Sequence, residues 1–140
     1  MDVTIRQYEP GDEHDVVDLW RQCGLLRAWT DAKSEIARNQ KSADGRLLVA
    51  TLGAHLVATV MAGYDGRRGW INYVAVAPSH RRTGIGRAMV EAAETYFREL
   101  ECPKVNLQVR EANHAAMEFY RALGYEVDEV VSLGKRLVGE

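Results

Sequence analysis

"VAVAPSHRRTGIGRAMVEAAE", Val74 to Glu94, is the stretch on which the reading of this chain turns. It begins as an apolar strand and ends as a helix, with Ile85, Met89, Ala92 and Ala93 on one face that continues to Tyr96 and Leu100. Between the two lie Pro78, the arginines Arg81, Arg82 and Arg87, and the glycines Gly84 and Gly86. A strand that turns through glycine into a helix leaves the first backbone N–H groups of that helix without intrahelical partners, at the positive end of its dipole. That is an anion site. Gly84 and Gly86 let the main chain approach a ligand where a Cβ would collide, and the arginines add charge, so a phosphate or pyrophosphate fits. Taken alone, the loop also reads as a tight turn with solvated arginines. It is a poor dinucleotide fingerprint, because Met89 stands where the third glycine belongs, and it lacks the Gly-Lys-Ser/Thr ending of a P-loop.

Working outward, "VTIRQY" alternates as a first strand and ends at the Glu9-Pro10-Gly11 turn signal. Val16, Val17, Leu19 and Trp20 repeat at helical spacing up to Gly24, and Asp31 is the candidate N-cap of a second helix reaching about Asn39. Three β-rich runs follow, Arg46 to Leu52, His55 to Tyr64 and Trp70 to Val76, with glycine turns between them, which predicts an antiparallel meander. A bulge near Asn72 or Tyr73 is expected in the last run. After the long helix, Gly84 to Leu100, "KVNLQV" reads as a strand, "NHAAMEFYRALG" as a short helix between Asn113 and Gly124, and "YEVDEVVSLGKRL" as a final strand or hairpin. The long helix connects the fourth and fifth strands as a crossover, which makes those two parallel. The expectation is an α/β fold of the α+β type, one domain over residues 1–140. It has a single mixed, mostly antiparallel sheet of six to seven strands and four flanking helices.

Composition narrows the function classes. Apolar residues are 46% and charged residues 27% of 140, as in ordinary globular domains. Lys plus Arg is 18 against 20 for Asp plus Glu, which gives no electrostatic footprint for nucleic acid or an anionic membrane. No apolar run approaches a membrane span, Cys23 and Cys102 lack metal-ligand spacing, and no metal site is expected. A cytoplasmic location is the default.

The motif Arg81-Arg82-Thr83-Gly84-Ile85-Gly86 resembles the Gln/Arg-x-x-Gly-x-Gly/Ala signature of the GNAT superfamily of N-acetyltransferases, in register after an apolar strand and before a long helix. "NHAAMEFYRALGY" is similar to that family's second motif, and the order of elements is the family's order over nearly the whole chain. More narrowly, "CGLLRAW", "ATVMAGYDGRRG" and "SLGKRL" look like the bacterial YpeA group. The resemblance implies acetyl-CoA as donor. Its pyrophosphate would meet the loop of Arg81, Arg82, Thr83, Gly84, Ile85, Gly86 and Arg87, and its pantetheine arm would pair with the main chain of Val74, Ala75 and Val76. Asn113 would contact the cofactor, Tyr120 would give a proton to the sulfur, and a backbone N–H near Val76 would polarise the thioester carbonyl.

Transfer to an amine needs a neutral nucleophile, a stabilised oxyanion and a proton for the departing thiolate. Many relatives carry a glutamate on the fourth or fifth strand, where this chain has Asn72 and Gln108. Glu111, Asp65 and His114 are the remaining candidates for a base, and none stands out. The absence favours a low-pKa acceptor such as an α-amine, or else a noncatalytic acyl-CoA-binding module. An acceptor pocket across the sheet from the donor is expected from Arg27, Trp29, Tyr64 and Asp65, with Arg27 for a carboxylate and Trp29 as an apolar wall. Homodimers are common among relatives, and nothing in the sequence fixes an interface.

Overall fold

In the computed structural model, which describes residues 2–138, the elements follow as β1 (Thr4–Gln7), α1 (Glu13–Gln22), α2 (Ala32–Lys41), β2 (Arg46–Leu52), β3 (His55–Tyr64), β4 (Gly69–Val76), α3 (Ile85–Glu99), β5 (Val105–Leu107) and α4 (His114–Ala122). They fall into two compact units, one up to Leu107 and one from Gln108.

The first unit is a five-stranded sheet in the order β1-β2-β3-β4-β5. Gly53 and Gly66 take positive φ, +63° and +92°, and turn β2 into β3 and β3 into β4, so these strands run antiparallel. β5 lies parallel to β4, as the crossover through α3 requires. Along β3, Val57 to Ala62 are all buried, because helices cover both faces of the central strand. On one face, Val16, Leu19 and Trp20 of α1 and Ile36 of α2 pack on Leu47, Val49, Met61 and Ala75. Each large apolar side chain buried there contributes about 1.5–3 kcal/mol. On the other face α3 buries Ile85, Met89, Val90, Ala93 and Phe97. Phe97 sits so close to Gly69 that a Cβ there would come within 2.8 Å of its ring.

The α2 start follows from chemistry that the sequence shows: the Asp31 side chain accepts from the Ser34 backbone N–H, 3.2 Å, and supplies a partner for one orphan donor of the first turn. Arg6 grips Asp12 through two hydrogen bonds of 2.8 and 2.9 Å and ties β1 to the entry of α1.

In the second unit the Asn113 side chain caps α4 by accepting from Ala116 N–H at 3.1 Å, and Gly124, φ +95°, ends it. The expected count of six to seven strands is corrected to five, because residues 125–138 form no strand. "YEVDEVVSLGKRL" has the residue types of a strand, but a strand exists only within a hydrogen-bonded ladder. Here Val127, Val130, Val131, Leu133, Leu137 and Val138 are 65% to 91% exposed.

Candidate functional site

The pairing of β4 sets up the site. β5 pairs with Gly69, Trp70 and Ile71 only, so among the described residues no strand lies beside the edge of β4 from Asn72 to Val76. On the opposite edge Asn72 faces Met61 and Ala75 faces Thr59, which leaves Val60 alone against both Tyr73 and Val74. That is the expected bulge. Tyr73 adopts φ +51°, a left-handed conformation that a bulky residue takes only when its surroundings impose it.

Two side chains, Thr59 and Trp20, impose it. Thr59 is fully buried and is the one buried polar residue among those described. Its Oγ1 accepts from the indole Nε1–H of Trp20 at 2.9 Å and donates to the Tyr73 carbonyl at 2.9 Å. The Trp20 and Tyr73 rings stack with centroids 3.9 Å apart and planes 15° from parallel. The tyrosine is therefore held at both its ring and its carbonyl.

Past the bulge, Ala77 N–H donates to Val57 O at 2.8 Å, so by strand alternation Ala75 and Ala77 address β3 while Val74 and Val76 address the open edge. Ala75 is a spacer between them, its methyl buried under α1 and α2. The Val76 carbonyl accepts from Arg81 Nε at 3.2 Å and from the Cys23 thiol at 3.3 Å. Its N–H is the group left to a ligand.

The loop from β4 into α3 is exposed at Arg81, Arg82, Thr83 and Gly84. Thr83 Oγ1 donates to the His80 carbonyl at 2.6 Å, and Gly84 takes φ +86° as the N-cap of α3. A Cβ on Gly84 would meet nothing of the protein within 4 Å, so what this glycine supplies is the left-handed turn. Arg82 takes φ +61° and makes no hydrogen bond or ion pair with the other described residues. Arg81 is committed to Val76, and Arg87 to Glu91 at 3.2 Å. Ile85 contributes only main chain, since its side chain is in the core.

A groove of about 330 Å³ opens beside the other end of β4, lined by Glu35, Arg38, Asn39, Met61, Tyr64 and Trp70 among others. Of the four expected acceptor residues it brings together Tyr64 and Asp65. Arg27 and Trp29 lie outside its lining, exposed on the link between α1 and α2. Asp65 holds the β3–β4 turn. Its carboxylate accepts from Arg68 N–H at 2.6 Å, Arg67 N–H at 2.8 Å and Trp70 Nε1–H at 3.1 Å, and the Arg68 N–H, the Trp70 indole and the Arg67 N–H depress its pKa to about 2. So weak a base does not deprotonate an amine.

Within the second unit, Tyr120 is half-buried, edge-on to Phe119 at 4.9 Å and to Tyr125 at 5.8 Å, and burial pushes its phenol up to about 12. It carries its proton throughout the neutral range. Asn113 spends its carbonyl oxygen on the α4 cap and keeps its amide N–H groups. Glu111 and His114 are exposed, and Gln108 donates to Ser132 Oγ at 2.7 Å.

The sequence reading passed over Thr59 and Trp20, whose contact joins residues 39 apart, and over Glu35 on α2. The one available signal was a hydroxyl in the middle of the apolar run "HLVATVMAGY".

Comparison with known proteins follows the same lines. The family described as Acetyltransferase (GNAT) family matches residues 13–125. A Yersinia pestis protein named acetyltransferase is 38% identical over 136 residues, 97% of this chain and 96% of its own length. Among solved structures, AAC(6')-Iy in complex with a CoA-S-monomethyl-acetylneamine bisubstrate analog superposes with a TM-score of 0.82 at 16% identity, covering 97% of this chain and 99% of its own. Glucosamine-6-phosphate N-acetyltransferase from Arabidopsis thaliana gives 0.73 at 18% identity, covering 99% and 100%. These two likenesses are likenesses of fold.

Proposed function

The chain belongs to the acetyltransferase (GNAT) family, with acetyl-CoA as its cosubstrate, and on that premise we propose that it acetylates a primary amine by direct attack. The observation that carries this reading is the open edge of β4. Val74 and Val76 present backbone groups there as an edge strand does, and a pantetheine arm with its two amides is a suitable partner for them. The loop at the end of that edge fits a pyrophosphate: a left-handed Gly84, the first N–H groups of α3, and the exposed, unpaired Arg82. Arg81 serves indirectly by fixing the Val76 carbonyl.

In the transfer the amine nitrogen bonds to the acetyl carbon, the carbon–sulfur bond breaks, the amine loses a proton and the sulfur gains one. A backbone N–H beyond the bulge donates to the thioester carbonyl, and the bulge is what frees such a donor from β3. Tyr120 keeps its proton at neutral pH, as a donor to the departing sulfur must, and the resemblance assigns it that role, with Asn113 as a contact to the cosubstrate. A lysine-like amine is neutral in about one molecule in a thousand at pH 7, an α-amine in roughly one in ten. With no carboxylate on β4 or at Gln108, the α-amine is the acceptor class we favour. The unpaired Cys23 and Cys102 support a reducing, cytoplasmic setting.

The test is thiol release from acetyl-CoA across a panel of α-amines, lysine-like amines and aminosugars, with Tyr120→Phe beside the unaltered protein. The expected result is turnover whose kcat falls about 100-fold in the variant while CoA affinity stays within twofold. CoA binding without turnover on any amine, or indifference to Tyr120→Phe, overturns the proposal.

A further inference from the structure

We infer that Glu35, held by Arg38 in the groove beside β4, receives the ammonium group of the acceptor. The inference rests on the reading of the open β4 edge as the donor site. If the donor runs along Asn72 to Val76 with its pyrophosphate at the start of α3, its acyl end faces the Trp70 and Asn72 end of the strand. The groove lies there. It is lined by Met61, Gly63 and Trp70, of which Met61 pairs with Asn72 and Gly63 with Trp70 across the β3–β4 ladder. The sheet register thus sets a groove residue, Met61, opposite Asn72, the first residue of β4 beyond its pairing with β5.

Two carboxylates line this groove, and they differ in what they are already doing. Asp65 is consumed by its turn, with two backbone N–H groups and an indole N–H on it. Glu35 has one partner. Arg38 Nη2 donates to its Oε2 at 2.9 Å, within one turn of the same helix, and its other oxygen has no hydrogen bond among the described residues. Glu35 also acts on the site itself. The Tyr73 phenol is raised by burial first and then by the negative charge of Glu35, with Arg38 opposing, so both charges reach the residue that forms the bulge. A carboxylate in the lining of an open groove, with one oxygen held by a guanidinium and the other free of hydrogen bonds among the described residues, is a receptor for an ammonium group. It also brings negative charge to the end of the strand where β4 itself carries the neutral Asn72. The acceptor class is a compact cationic amine, of a size that an open groove of about 330 Å³ can seat.

Glu35→Gln keeps the shape and removes the charge, and Glu35→Asp keeps the charge. For the best amine of the panel, Glu35→Gln should raise the acceptor KM at least 10-fold and leave the acetyl-CoA KM within twofold, with Glu35→Asp recovering part of the loss. Calorimetric titration of the same amine into the CoA-loaded protein should show affinity that falls by the same factor. Turnover by the unaltered protein with an acceptor KM that ignores Glu35→Gln overturns this inference and spares the acetyltransfer proposal. Amine binding that depends on Glu35, without turnover, does the reverse. A panel that neither binds nor reacts, or a fall in acetyl-CoA affinity equal to that for the amine, overturns the role of Glu35.

Discussion

Thr59→Val tests the device that holds the bulge. Valine has nearly the shape of threonine, so the substitution leaves no cavity and removes one thing, a hydroxyl with two hydrogen bonds of 2.9 Å in a fully buried place. Trp20 Nε1–H then has no acceptor, and Trp20 is itself fully buried. An orphaned buried donor costs about 1–3 kcal/mol. The Tyr73 carbonyl loses a donor but keeps a second lone pair, so its share is nearer 1 kcal/mol. The sum is about 2–4 kcal/mol, a large part of the about 5–15 kcal/mol by which domains are stable. Thr59→Ser keeps both bonds and loses one methyl, about 1 kcal/mol. Urea unfolding followed by circular dichroism should therefore rank the variants as threonine above serine above valine. Because the Thr59 hydroxyl is one of the two contacts that hold Tyr73 at φ +51°, Thr59→Val should also weaken acetyl-CoA binding more than Thr59→Ser does. A valine variant as stable as the serine one, or one that binds acetyl-CoA unchanged, would refute the argument.

Gly69→Ala should destabilise by about 1–3 kcal/mol through overpacking, since the new Cβ would lie 2.8 Å from the Phe97 ring. In a double-mutant cycle with Phe97→Leu, unfolding free energies should show that cost largely relieved, and additive costs would contradict it. The Asp65 carboxyl, held at about 2 by the Arg68 N–H, the Trp70 indole and the Arg67 N–H, has a folded pKa below its unfolded value near 4. What it adds to stability is therefore complete above about pH 4 and lost as pH falls toward 2. The Trp70 indole N–H resonance should shift in that window and stop doing so in Asp65→Asn. A transition between pH 5 and 7 would assign it to another group.

What the sequence made legible was local. Asp31 and Asn113 read as caps because a short polar side chain before an apolar repeat has one common use, and both caps form. The glycine turns gave the meander, and the crossover through the long helix gave the parallel pair of β4 and β5. The last run failed for the complementary reason. Its alternation states a propensity, whereas a ladder depends on a partner strand, and residue type carries no information about that partner. The same division runs through the site. The loop from Arg81 to Arg87 is contiguous and was read directly. The groove is assembled from α2, β3 and β4, so Glu35, far in sequence from Asn72 and Gln108 and from the candidates Glu111, Asp65 and His114, carries no local signal that places it there. Which side chains meet Tyr73 depends on a one-residue shift in register between Thr59 and Met61. A different register there would leave Val60 paired and the bulge absent, and would take Tyr73 off the Trp20 ring. The bulge is thus the point where a non-local contact, Trp20 with Thr59, fixes the local backbone on which the donor reading rests.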